Sequence, residues 1–362
     1  MIISAPEKDK VSFTIRAAAI AALMMSGAAS AQTGTLPATA LEDFPHVQIG
    51  NRLITAQVYP PGEKGLNQGG RFDHAGVVFH VIHKGQDFHN YWFERIVVDP
   101  KDDGKYPGGA EHSCCSMSGP VEEFAAVGFD EAGPCREAAQ ETKCGRFLKP
   151  GIGIIQRTGD TYSQYVAQPL LNEGKRTFRA TKNSAHFTQD LNDAESGYGY
   201  RYAKTVTITP GKAQMTIAHV LKNTGKKDIV TKVYSHNFAT LSPGSEHLEV
   251  TAPFAWQVKQ SLQPELVQVD GKTLRYLAPI PRGVTTQSTL GGYGDKASDY
   301  DFTITNTQTG FGLRIRGDQP LDDINMWSIT SNLSLEPFIA IALKPGETKR
   351  WTLTYDYFGP EK

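Results

Sequence analysis

The chain has 362 residues, 37 of them basic and 38 acidic, for a formal net charge of −1. Hydrophobic residues make up 39%, charged residues 21% and aromatics 10%, alongside 35 Gly and 21 Pro; this excludes collagen-like, coiled-coil and wholly disordered chains. The neutral balance argues against a nucleic-acid partner, because phosphate contacts need a basic surplus.

At the N-terminus, Lys8, Lys10 and Arg16 precede the apolar run AAAIAALMM (17–25), and the small-residue stretch 26–31 ends in an A-x-A pattern before Gln32. That order is the order of a secretory signal peptide cut after Ala31. The rival is a cytosolic N-terminal helix. Cleavage leaves 32–362 as a single domain, exported to the periplasm or beyond. No later stretch has the roughly 18 uninterrupted apolar residues of a spanning helix, so no membrane anchor is expected after cleavage.

The four cysteines, Cys114, Cys115, Cys135 and Cys144, fall in one short window. An even, clustered set in an exported chain reads as two disulfides pinning a loop. A ring between adjacent cysteines is strained, so Cys114 and Cys115 are expected to pair with Cys135 and Cys144, in either order. Zinc is the rival, with His112 as a further ligand, but an adjacent pair does not fit C-x2-C spacing. No metal is expected.

The rest of the chain reads as strands. Segments rich in β-branched and aromatic residues recur between Pro-Gly, Asn-Thr-Gly, Lys-Gly and Asp-Gly turns: 74–83, 91–98, 151–157, 200–208, 213–221, 228–238, 301–307, 310–317, 336–343 and 349–358. Residues 205–237 look like a three-stranded meander. The stretch 101–120 is a long loop, and 121–143 has room for a short helix. Polar–apolar alternation implies antiparallel sheets with one packed face. The fold class is therefore all-β, one large antiparallel β-sandwich with a disulfide-pinned loop insertion.

Three places carry ionisable residues that strand packing does not require. In GGRFDHAG (69–76), two glycines let the backbone approach a ligand and Arg71 offers a planar fork of donors, with Asp73 and His74 following; a turn with a surface salt bridge is the plainer alternative. In YSHNFATL (234–241), Tyr234, His236 and Phe238 share a face. His236 is suited to proton transfer at neutral pH, or is a satisfied core histidine. In SLEPFIAIALKPGE (334–347), Glu336 opens an apolar strand, where a partly desolvated carboxylate serves as a base, or simply caps the strand in solvent.

Together, in this order along the chain, these strings resemble the aldose 1-epimerase (galactose mutarotase) family. YSHNFATL is similar to the family's histidine strand, HVLKNTGKKDI to the strand and turn before it, LEPFIAIALKPGETKRWTLTYDYF to the C-terminal stretch with the base glutamate, and GGRFDHAG to the segment with a substrate-binding arginine. The family's second histidine, in a His-Gly-Gly loop, has no match; His112 and His74 are the candidates. The resemblance implies a galactose mutarotase-like sandwich without metal or organic cofactor. It assigns Glu336 to take the proton from the anomeric hydroxyl, His236 to protonate the ring oxygen, and Arg71 to hold ring hydroxyls. Tyr234, Trp92 and Trp327 are candidates for an apolar platform under the sugar.

The ligand expected is a monosaccharide or glycan. Two other readings share the fold: an exported lyase or hydrolase, with Glu122, Glu123 or Asp73 as partner of Glu336, and a carbohydrate-binding protein without turnover. The mutarotase reading requires the His236 and Glu336 tips to converge from separate strands, with a gap for one saccharide between them.

Overall fold

In Gly199–Ile208, every second residue from Tyr200 to Ile208 is buried, and the same rhythm runs through Gln214–Asn223 and Thr348–Phe358. A period of two sends alternate side chains to opposite faces, so each strand buries one side. The computed structural model describes residues 44–90, 119–138, 141–164, 166, 168–260 and 262–361. Its 25 strands form five antiparallel sheets, and among the described residues the helical element is a single 3₁₀ turn, Ala297–Asp299.

A ten-stranded sheet runs Lys175–Ala180, Ser184–Asn192, Gly199–Ile208, Gln214–Asn223, Thr348–Phe358, Gly312–Gly317, Asp301–Asn306, Leu248–Thr251, Thr273–Tyr276, Val267–Asp270. A six-stranded sheet runs Gln257–Val258, Thr286–Gly291, Asp323–Ile329, Asn332–Leu343, Ile229–His236, Val121–Phe124. One hydrophobic core contains the inner faces of both, including Ile217, Tyr355 and Ile315 from the first and Val233, Ile339 and Met326 from the second. Across this core Tyr355 Oη donates to Asn237 Oδ1 at 2.8 Å. Burying an aromatic side chain such as Phe124 contributes about 1.5–3 kcal/mol.

Smaller sheets carry the rest. Val47–Gly50, Ile54–Tyr59, Val77–His83 and Gln86–Asp87 form one, and the loop within it, from Pro60 to Gly76, supplies the Arg71 segment. Arg146–Lys149, Gly153–Gln156 and Leu170–Asn172 form another.

Three sequence expectations change. Residues 121–143 hold no helix where they are described: Val121–Phe124 instead adds to the edge of the six-stranded sheet beside Ile229–His236. The meander is only two strands long, because the slot beside Gln214–Asn223 is filled by Thr348–Phe358 over nine residue pairs. The third strand, Ile229–His236, crosses to the opposite sheet and pairs with Asn332–Leu343. Cys135 bonds to Cys144, not to Cys114 or Cys115. The two flank the hairpin Arg136–Ala138/Glu141–Lys143, whose Arg136–Lys143 pairing sets their Cα atoms 3.8 Å apart. Cys114, Cys115, His112, Trp92, the strand expected at 91–98 and the N-terminal segment 1–31 lie outside the described residues.

Gly119 fixes where the edge strand enters. A Cβ there would stand 2.0 Å from the His236 carbonyl oxygen. Gly119→Ala is expected to destabilise the fold by about 1–3 kcal/mol, lowering Tm by roughly 1–4 °C in a thermal melt.

Candidate active site

Strand pairing decides which side chains share a face. Tyr234 pairs with Glu123 on one side and with Phe338 on the other, and Asn325 pairs with Glu336. Opposed residues lie on the same face, so Glu123, Tyr234, His236, Glu336 and Asn325 all stand on the outer face of the six-stranded sheet. Val233 and Ser235 alternate with them and face the core.

Glu123 is the hub of this face. Its Oε2 accepts from Arg71 Nε at 2.9 Å and from Tyr234 Oη at 2.7 Å, and lies 2.9 Å from His236 Nε2. Its Oε1 accepts from the buried Lys149 Nζ at 3.3 Å. Burial disfavours the Glu123 charge, but Lys149, Arg71 and His236 outweigh it and hold the carboxyl well below its usual range. Glu336 Oε1 accepts from Ser334 Oγ at 2.9 Å and stands 2.7 Å from His236 Nδ1. That last approach is close but lacks hydrogen-bond alignment, so Nδ1 has no aligned partner. Burial opposes a charge on His236; Glu336 and Glu123 overcome it and raise the imidazole pKa above 6.5. The arrangement sets the His236 imidazole between the carboxyl groups of Glu123 and Glu336.

Aromatic rings frame it. Phe72 meets the His236 ring edge-on at 5.0 Å, and Phe238 stacks on it at 5.2 Å. Trp327, half-buried, packs against Phe238 at 6.3 Å. His236 is 3% exposed and Glu336 7%. Beyond Glu336 the face opens along the half-buried Asn325 and Thr289, whose hydroxyl donates to Asn325 Oδ1 at 3.2 Å.

The structure thus brings together Arg71, Tyr234, His236 and Glu336, with Trp327 nearby. It does not bring in Asp73 or His74. Asp73 is 1% exposed and lies between the sheets, accepting from Tyr202 Oη at 3.0 Å, with Lys204 Nζ at 3.5 Å. His74 Nε2 donates to Gly69 O at 2.7 Å inside the fold. The expected gap is also absent: the His236 and Glu336 tips touch, because their strands are direct neighbours in the sheet. Lys149, Ser334 and the central role of Glu123 were not legible from spacing. Lys149 ends a short strand in the small sheet Arg146–Lys149, Gly153–Gln156, Leu170–Asn172, and only tertiary packing delivers it.

Comparison with family models and with curated proteins gives no match. Among solved structures, a galactose mutarotase-like protein from Clostridium acetobutylicum superposes with a TM-score of 0.52 at 9% identity, covering 88% of this chain and 96% of that one. The chain has the galactose mutarotase-like fold. Two further similar structures are a galactose mutarotase-like protein from Lactobacillus casei ATCC 334 (TM-score 0.46, 11% identity, 87% and 100% coverage) and a GalM/aldose epimerase homologue from C. elegans (TM-score 0.45, 12% identity, 88% and 99% coverage). In this galactose mutarotase-like sandwich, the outer face of the six-stranded sheet carries the ionised cluster.

Two further histidines of the sandwich are locked neutral. Burial first, and Arg176 second, hold His74 down to about 3, and burial holds His89 down to about 4. His89 Nδ1 donates to Phe238 O at 2.8 Å, bracing the ring that stacks on His236. The unfolded chain protonates both below about 6.5 and the folded chain does not, so stability is lost as pH falls from about 6.5 toward 4. Every tenfold loss of proton affinity on folding corresponds to about 1.4 kcal/mol. Asp73, raised by burial, works in the opposite direction in the carboxylate range. Melting curves across this window are expected to show a falling Tm, with a shallower slope in His74→Gln.

Proposed function

We propose that the outer-face site binds a saccharide and interconverts its anomers by acid–base ring opening. The observation that carries this reading is the His236–Glu336 contact at 2.7 Å, where the neighbouring carboxyl groups favour the protonated imidazole. Opening a pyranose hemiacetal requires removal of the proton on O1 and delivery of one to the ring oxygen. Both oxygens are bonded to the anomeric carbon, so an acid and a base in mutual contact match them. Because the tips touch, the sugar lies over the pair and not between them. Glu336 takes the hydroxyl proton. His236 Nε2 is engaged by Glu123 and Nδ1 is enclosed against Glu336, so Nδ1 donates to the ring oxygen once the sugar displaces that contact. Rotation about the C1–C2 bond and closure reverse both transfers. Trp327 gives an apolar flank to the sugar's C–H face, and Arg71 keeps Glu123 in place and reaches ring hydroxyls.

A glycosidase reading has less support. Its general acid must be a protonated carboxyl, and Glu123 is held ionised by three cationic neighbours. Export places the reaction outside the cytosol; the signal-like residues 1–31 and the Cys135–Cys144 bond support that location.

The test is proton NMR of freshly dissolved α-glucose and α-galactose, following β-anomer growth with and without protein. Acceleration over buffer is expected. Buffer-rate conversion of both sugars, and of a wider panel of free aldoses, would overturn the proposal.

A further inference from the structure

Two chain segments each send one charged side chain up to the site and one down into the core. In Val121–Phe124 these are Glu123 and Glu122, consecutive residues of an extended strand. In the segment before Val77–His83 they are Arg71 and Asp73. The segments are joined by a backbone bond from Asp73 N to Glu122 O at 2.8 Å. Above the sheet, Arg71 and Glu123 attract. Below it, both side chains are acidic and fully enclosed, and two like charges in such surroundings repel strongly.

Lys204 resolves that repulsion. It stands on the ten-stranded sheet, 0% exposed, and its ammonium contacts Glu122 Oε2, Asp73 Oδ2 at 3.5 Å and Ala75 O at 2.6 Å. Its strand partner His219 takes the other Glu122 oxygen at 3.0 Å, and Tyr202 takes Asp73. We infer that Lys204 is a positioning residue: out of reach of any ligand on the outer face, it clamps Glu122 and Asp73 from beneath and so fixes Glu123 and Arg71 against His236. The inference rests on the outer cluster being the working site. Its central readout, however, is independent of sugar turnover.

That readout is the titration of His236, which is faced by Glu336, Glu123, Arg71 and Tyr234. In NMR of histidine-labelled protein, with the His236 signal assigned by its loss in His236→Gln, Lys204→Met and Glu122→Gln are each expected to lower the His236 pKa by about one, as expected for a loosened contact with one carboxylate. The core variant Ile341→Ala, which lowers Tm without touching the clamp, is expected to leave it unchanged. If the wild type interconverts anomers, kcat/KM in the clamp variants falls by up to about tenfold at pH above the His236 pKa, where the acid's protonated fraction follows its protonation equilibrium. An unaltered His236 titration in folded Lys204→Met and Glu122→Gln would overturn the inference, whatever the Tm. Should Lys204→Met not fold, Glu122→Gln and Tyr202→Phe decide by the same titration. A wild type without sugar turnover would remove the kinetic arm and the proposed reaction, and leave the titration arm standing.

Discussion

On the proposed mutarotation, Glu336→Gln is expected to slow anomer exchange by about 10²–10⁴-fold, the range for loss of a positioned proton-transfer group, and His236→Ala is expected to do the same. Both are read by the NMR assay with freshly dissolved sugar, alongside thermal melts showing that the variants remain folded. Glu336→Gln keeps the side chain's shape and its bond from Ser334, and leaves His236 its contact with Glu123, so its loss of rate is chemical. The pH profile carries a second signature. On that mechanism His236 must be protonated to donate, and its pKa is raised above 6.5 in the fold, so the rate is expected to hold below about 6.5 and to fall as pH rises through the raised value. The stabilisation from its charge follows the same sign: present in full below about 6.5, lost on passing the folded pKa. A profile that instead rose with pH through this window would sink the assignment of His236 as the acid.

Glu123→Gln is expected to cost about 3–5 kcal/mol of stability, the penalty for leaving a buried cation without its counter-charge, or roughly 4–7 °C in Tm for a chain of this length. The magnitude follows from what is stranded. Lys149 is 0% exposed and its ammonium has the Glu123 carboxylate at 3.3 Å, while Arg71 and His236 converge on the other oxygen. Replacing Lys149 with Met in the Glu123→Gln background recovers part of the loss, measurable as a coupling energy in a double-mutant cycle. The pH sign is opposite to that of His236. Glu123 is depressed in the fold, so its contribution is complete above about 4.5 and is lost as pH falls toward the folded value. Wild type is therefore expected to lose more stability on acidification than Glu123→Gln does, and the two melting curves converge at low pH.

The sandwich itself was readable because alternation is a local property. The pattern in residues 200–208, 213–221 and 349–358 survives in the structure as strands with one buried face. Which strand lies beside which was not readable: Ile229–His236 follows its predecessor in sequence but pairs in the other sheet, since sheet neighbours are chosen by long-range packing. At the site, Arg71 stood out behind its two glycines, His236 on a face shared with Tyr234 and Phe238, and Glu336 at the opening of an apolar strand. Lys204 and His219 carry the same signal, each falling on the buried phase of its strand, and a reading of core phase alone would have found them. Asp73 and His74 gave the reverse error. Their proximity to Arg71 in sequence suggested a shared surface, whereas the chain there turns inward. Glu122 and Glu123 could not be told apart without knowing the pairing with Ser235 and Tyr234.

That pairing makes the double glutamate its own ruler. Slide the edge strand by one residue in one direction and Val121 takes the inner place, leaving Lys204 beside a hydrocarbon; slide it the other way and Phe124 takes the outer place, leaving Arg71 and Lys149 facing a ring. Either misalignment abandons at least one enclosed cation. A short strand at the rim of a sheet, normally the part most prone to slippage, is here self-aligning.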